Sequence, residues 1–171
     1  MTIYQTYYTS PLGQLRLVCS EEHVTAVLFC GEEGRHEQDQ HHLLHLCATQ
    51  LDEYFAGSRT SFALPLQQAG STFQQTVWKL LMDIPFGKTI SYQQLATRYG
   101  ELKAIRAVAS ANGKNKLAII VPCHRVIGSN HTLTGYAGGL WRKSWLLHHE
   151  LKHGSGVQQM GLEFSCPRKN I

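Results

Sequence analysis

The chain has no apolar run approaching the ~20 residues that a membrane-spanning helix needs, which excludes a helical membrane protein. Its start, Met1-Thr2-Ile3-Tyr4-Gln5, lacks the basic-then-apolar pattern of an export signal, so export is not expected. The five cysteines (Cys19, Cys30, Cys47, Cys123 and Cys166) are odd in number and include no CxxC pair. Neither a disulfide framework nor a zinc ribbon is therefore expected. Free thiols suit a reducing compartment, and the cytoplasm is the expected location. Acid is scarce in one region, where Glu101 is the single carboxylate between Asp83 and Glu150. The same stretch carries Lys103, Arg106, Lys114, Lys116, Arg125, Arg142 and Lys143, so a modest net charge of +4 is concentrated there. A basic face of this kind suits a polyanion as large as a nucleic acid.

The 171 residues fit one domain or two small ones sharing a core. Residues 3–30 alternate apolar and polar and break at Ser10-Pro11-Leu12-Gly13 and Ser20-Glu21-Glu22-His23, which predicts a small antiparallel meander. Residues 31–40 read as a loop, and His41–Phe55 as a helix ending at Gly57. Ser61–Leu66 is a further strand candidate, and Gln67-Gln68-Ala69-Gly70 a linker. The remainder reads as helical: Thr72–Met82 after Ser71, Tyr92–Tyr99 between Ser91 and Gly100, and about Lys103 to Asn112 with Gly113 past its end. The last two helices, with Arg106 on the second, have the look of a helix-turn-helix.

The most informative stretch is Ile119-Ile120-Val121-Pro122-Cys123-His124-Arg125-Val126-Ile127-Gly128. It reads as an apolar strand that delivers a cysteine directly beside a histidine. A cysteine attacks only as the thiolate, and an unperturbed thiol with a pKa of about 8.5 is mostly protonated at neutral pH. A neighbouring histidine can take the proton, and a carboxylate can orient that histidine. Glu150, closing a helix-like segment from Gly139, is the best candidate for the third member. His36, His41, His42 and His45 lack a cysteine or carboxylate partner pattern and read as solvated residues. Leu151–Ile171, including Cys166, reads as a flexible tail.

Five ordered blocks resemble the O6-alkylguanine-DNA alkyltransferases, also called methylated-DNA–protein-cysteine methyltransferases. They are Ser91-Tyr92-Gln93-Gln94-Leu95-Ala96, Ala104-Ile105-Arg106-Ala107-Val108, Pro122-Cys123-His124-Arg125-Val126, Thr134-Gly135-Tyr136-Ala137-Gly138-Gly139 and Trp145-Leu146-Leu147-His148-His149-Glu150. The likeness is close from Phe73 to Glu150. It is looser before that, through Ser10-Pro11-Leu12-Gly13 and Glu53-Tyr54-Phe55-Ala56-Gly57. It implies an α/β (α+β) protein: a ribonuclease-H-like α/β lobe over residues 1–68, a helical lobe over 69–152 with a winged-helix-like helix-turn-helix that binds DNA and accepts the methyl group, and a tail over 153–171.

The resemblance also implies the chemistry. Cys123 takes the alkyl group from O6-alkylguanine, and from O4-alkylthymine, in duplex DNA, deprotonated through a water by His124, which Glu150 orients. Asn115 bridges the helix-turn-helix to the active-site strand. The thioether product is not hydrolysed, so each protein acts once and needs no cofactor. The lesion is extruded from the duplex. Arg106 fills the vacated stack, while Ala107, Ala109, Ser110 and Ala111 let their helix approach the minor groove, with Arg125 also on the DNA side. Tyr92 rotates the target phosphate and donates to the base, and Val126, Tyr136, Ala137 and Gly138 line the pocket. The partner is double-stranded DNA and no membrane; the protein is expected as a monomer, with or without cooperative assembly along DNA. Some relatives hold zinc with two Cys and two His. Cys19 and His23 match half of that set, so no metal is expected.

The sequence departs from the family pattern at Glu101-Leu102, where many relatives carry a proline-containing turn, and at Ile105, where alanine is commoner. Ala137 stands where some relatives have serine. No Cys-rich regulatory domain precedes the core, so no transcription-activating role is expected. Among competing readings, a non-catalytic lesion sensor commonly has Trp in place of the nucleophile, whereas Cys123 is kept here. A cysteine hydrolase needs an oxyanion hole that nothing marks, and a plain helix-turn-helix regulator leaves Cys123-His124 unexplained.

Overall fold

A computed structural model describes residues 1–31 and 38–154. Expectations for His36, Cys166 and the tail beyond residue 154 lie outside the described residues, as does most of the 31–40 loop. The chain forms two compact units: residues 1–69 with 116–120, and 70–115 with the chain from 121 onward. The second unit is thus interrupted by a five-residue excursion into the first.

The first unit is built on the expected meander. Strands β1 (Tyr4–Ser10), β2 (Gly13–Cys19) and β3 (Val24–Phe29) pair antiparallel in that order. Gly13, at φ 103°, takes the left-handed conformation that the β1–β2 turn requires, and Ser10 Oγ accepts from Leu12 N–H at 3.0 Å. Alternation on β2 buries Leu15, Leu17 and Cys19. Helix α1 (His42–Phe55) covers them with Leu43, Leu44, Cys47, Leu51 and Tyr54. His41 is no solvated residue: it caps α1, its Nδ1 accepting from Leu43 N–H at 3.2 Å, and its ring stacks on Tyr4.

Ser61–Leu66 is not a strand. Leu66 makes one isolated bridge to Val24, because Pro65 has no N–H and offers only its carbonyl, to Val24 N–H at 2.8 Å. Leu117 likewise bridges Val27 within this unit.

In the second unit, α2 (Thr72–Met82) and α3 (Tyr92–Tyr99) each begin with a capping box, Ser71 with Gln74 and Ser91 with Gln94. Gly100 ends α3 at φ 103°. A 3-10 turn over Leu102–Ala104 leads into α4 (Ile105–Gly113), so the expected start at Lys103 moves inward by two residues. Gly113 is the last helical residue and Lys114 the C-cap, not Gly113 past the end. Val77, Trp78, Leu81, Leu95, Val108 and Ala111 fill the space between these helices, and Trp78 Nε1 donates to Ala111 O at 2.9 Å. Strands β4 (Ile90–Ser91) and β5 (Val126–Ile127) form one short parallel pair, and α5 (Leu140–His153) closes the unit. Ile127, Leu133 and Leu147 make a second small core there. Among the described residues, no helix is long and apolar enough to cross a membrane.

Candidate active site and nucleic-acid interface

No strand delivers Cys123. Ile119 sits at φ 71° and Cys123 opens a single 3-10 turn, Cys123–Arg125, ahead of β5. The local bond Cys123 N–H to Val121 O, 2.8 Å, replaces a ladder partner. Asn115 Nδ2 donates to Val121 O at 2.9 Å, tying the point where the chain leaves the second unit to the point where it returns. Asn112 Nδ2 donates to Cys123 O at 3.4 Å.

The side chains that follow the cysteine point inward. His124 and Glu150 are fully buried, and Cys123 retains 7% exposure. His124 Nε2 donates to Glu150 Oε1 at 2.7 Å, while His124 Nδ1 is buried with no hydrogen-bond partner among the described residues. Burial would raise the Glu150 carboxyl, but His124 and Arg125 together hold it far below the usual range. Burial pushes the His124 pKa down, with Arg125 and Lys143 adding to the effect against the pull of Glu150. His124 is therefore a neutral imidazole facing an ionised carboxylate, with a free lone pair on Nδ1.

Arg125 corrects the sequence reading. Expected on the DNA side, it is 6% exposed and its guanidinium grips Glu150 through Nε to Oε2 and Nη2 to Oε1, both 2.9 Å. Its Nη1 donates to Ile84 O at 2.6 Å. A buried carboxylate needs such a partner, and the bidentate fork supplies it while sharing Oε1 with His124. Gly87 N–H adds a bond to Glu150 Oε2 at 3.3 Å; at φ 76° and with a Cβ that would meet Glu150 O at 3.2 Å, this position fits only glycine. Neither Ile84 nor Gly87 carries a motif that sequence could flag.

Lys143 was visible only as part of a basic region. It is fully buried, and its ammonium donates to Thr134 O at 2.9 Å, Gly135 O at 3.3 Å and Tyr92 OH at 3.5 Å. Burial pushes its pKa down to about 8, against an upward pull from Cys123. Burial raises the Cys123 thiol, and Asn115, Lys143 and the thiol's own backbone work in the opposite direction. The resting thiol is protonated and needs a base. One signal could have found Lys143: it precedes Glu150 by seven residues, with buried Leu146 and Leu147 between, on one face of α5.

Beside this centre lies an open cleft of ≈ 500 Å³ whose wall includes Tyr92, Arg106, Asn112, Tyr136 and Ala137. Tyr92 OH donates to Thr134 O at 3.0 Å, and burial raises its pKa. Burial also holds the Tyr136 phenol well above its usual value. Val126 and Gly138, expected in the pocket, are buried and do not line this cleft. Arg106, Ala107 and Ser110 are exposed on α4, whereas Ala111, expected to face DNA, is 2% exposed and turned into the core. Asn112, read as a turn residue, links this wall to Cys123 and keeps a buried Oδ1 that has no partner among the described residues. Among the described residues no group of three or more His, Cys, Asp or Glu is arranged to hold a metal.

A buried thiol with a neutral histidine and a clamped carboxylate behind it, next to a cleft on a basic helical hairpin, defines a cysteine-based transferase that handles nucleic acid. Comparison with known proteins makes the class specific. Residues 72–152 match the 6-O-methylguanine DNA methyltransferase DNA binding domain, and residues 3–68 match the ribonuclease-like domain of the same proteins. The constitutive methylated-DNA–protein-cysteine methyltransferase of Bacillus subtilis is 43% identical over 156 residues, covering 86% of this chain and 94% of its own length. That of Haemophilus influenzae is 38% identical over 154 residues, covering 86% of each. The crystal structure of the Mycobacterium tuberculosis O6-methylguanine methyltransferase superposes with a TM-score of 0.82 at 39% identity, over 91% of this chain and 97% of that one. OGT of the same organism in complex with DNA gives 0.78 at 42% identity, over 86% and 92%. The chain belongs to the 6-O-methylguanine DNA methyltransferase family, with its ribonuclease-like and DNA-binding parts both present.

Proposed function

We propose that this protein repairs DNA by moving the alkyl group of O6-alkylguanine, and of O4-alkylthymine, irreversibly onto Cys123. The observation that carries the reading is the buried Cys123 beside neutral His124, whose open Nδ1 and Glu150-bonded Nε2 suit a base. The thiol proton passes to His124, and since Nδ1 has no partner among the described residues a bridging water suits that transfer. The thiolate attacks the alkyl carbon in line; the S–C bond forms as the C–O bond breaks, and the base leaves with the electron pair. Lys143 steadies the thiolate and, through its ammonium on Tyr92, favours a phenol that donates to the departing base. Asn115 and Asn112 fix the turn that carries Cys123. Arg125 acts through Glu150 as a positioning residue.

For DNA, α4 enters the minor groove through exposed Ala107 and Ser110, Arg106 takes the place of the extruded nucleotide, and the cleft beside Tyr92, Tyr136 and Ala137 receives it. Reading a lesion in any sequence suits the degenerate minor groove. The protein works as a monomer, with or without cooperative assembly along DNA, and in the cytoplasm, a location supported by the free thiols of Cys19, Cys30, Cys47 and Cys123. The sensor alternative is disfavoured by the retained and equipped Cys123. Intact-protein mass after incubation with duplex DNA containing O6-methylguanine tests the proposal. One methyl group per protein, mapped to Cys123 and absent from Cys123→Ser, is expected; lesion-selective binding with no adduct overturns it in favour of the sensor.

A further inference from the structure

The turn that leads into α4 presents aliphatic side chains to solvent inside the basic region. Leu102 is 51% exposed and Ile105 36%, one helical turn apart, while Val108 and Ala111 of the same helix lie in the core. Scattered exposed aliphatics are ordinary. Ile105 differs in its position: it immediately precedes Arg106, and both stand in the cleft wall with Tyr92 and Ala109. Its β-branched side chain is held near one rotamer in a helix, so it projects with little freedom left to lose.

We infer that Ile105 is an apolar wedge that works beside Arg106, pressing on the base pair that flanks the extruded nucleotide. The inference rests on the function proposed above. Unstacking a base step costs a few kcal/mol. A guanidinium fills the vacated space at the expense of its own hydration, whereas an aliphatic group gains by leaving water. The two neighbours therefore act in complementary ways. Arg106 occupies the hole and its charge meets the backbone, while Ile105 holds the adjacent stack apart. The small exposed side chains of Ala107 and Ser110 let the wedge come close.

The test compares single-turnover alkyl transfer to Cys123 from one oligonucleotide, presented as duplex and as single strand, where no stack has to be opened. Ile105→Ala removes the wedge at an exposed position with a better helix former, so folding is preserved. Its duplex rate is expected to fall about 10-fold, while the single-strand rate stays within about 2-fold and Ile105→Val stays near the parent on both. An equal fall on both substrates overturns the inference, because Ile105 is then a wall against the base itself. An unchanged duplex rate also overturns it. If the parent protein moves no alkyl group from either substrate, the proposed function fails and this inference fails with it.

Discussion

In the first unit Cys19 Sγ lies 3.3 Å from His41 Nδ1, and His41 Nε2 lies 3.9 Å from Glu21 Oε2. In the second, Cys123 adjoins His124, whose Nε2 lies 2.7 Å from Glu150 Oε1. The same three residue types meet in both places, and their surroundings separate them. Glu21 is 62% exposed and accepts from Tyr4 OH at 2.6 Å, whereas Glu150 is buried and held by Arg125 and Gly87. His41 Nδ1 is already committed to capping α1; His124 Nδ1 is open. Burial, Glu21 and Asp39 push the Cys19 thiol up to about 11 with nothing opposing them. At Cys123, Lys143 and Asn115 oppose the effect of burial. A cysteine, a histidine and a glutamate become a nucleophile only where a cation faces the sulfur and the imidazole keeps a free lone pair.

The largest difference should appear on removing the sulfurs. Cys123→Ser is expected to abolish alkyl transfer, and Cys19→Ser to leave its rate within about 2-fold, read by intact mass under single-turnover conditions. A matching loss at Cys19 would mean the two centres are not functionally distinct.

Next comes Arg125→Met, which leaves Glu150 a buried carboxylate without its main partner. A stability loss of roughly 3–5 kcal/mol in urea unfolding is expected, together with slowed transfer. Lys at this position should recover little, because it lacks the bidentate fork. The acid side of the stability profile follows from the same carboxylate. Its folded pKa lies below its ordinary 4.5, so the stability it contributes is present above that value and is lost as pH falls beneath it. Glu150→Gln should flatten that acid limb.

Lys143 separates the centres more finely. Its charge is present below about pH 8 and lost above it, so support for the thiolate should fade as pH rises through that value. The transfer rate of the parent protein is expected to bend downward there, and Lys143→Met to be slower by about 10-fold at pH 7 with no such bend. A bend that persists in Lys143→Met would assign it to another group. The smallest effect is at the first centre: His41→Ala removes the cap of α1 and should cost about 1 kcal/mol in urea unfolding, while transfer is unchanged.

Much of this was legible in the chain. Ser71 and Ser91, each with Gln three residues on, announce two helix starts, because a cap is a local hydrogen-bond pattern. The β1–β3 meander follows from alternation and from the turn at Ser10–Gly13. Adjacency and the resemblance pointed to Cys123, His124 and Glu150 as a group, and the last two lie 2.7 Å apart. What failed depended on partners distant in sequence. Ser61–Leu66 has strand composition, but its backbone makes a single bridge, Leu66 to Val24, while Ala63 bonds the Gln50 side chain instead of a neighbouring strand. The run before Cys123 is apolar because it is buried, not because it is paired. Arg125 looked like a DNA contact because charge is ordinarily at the surface; here the buried Glu150, 25 residues away, draws it inward.

Sequence alone determined where α2 and α3 begin, which face of β2 is apolar and which cysteine stands next to a histidine, since these depend on neighbours within a few residues. Tertiary structure decided what those residues do. It bent the chain at Ile119 so that Cys123 opens a turn, gave Glu150 to His124 and Arg125 together, and buried Lys143 against Tyr92 and Thr134. Hydrogen-bond geometry and the cost of burying charge act through space, and no local pattern in the chain encodes which distant partner will meet them.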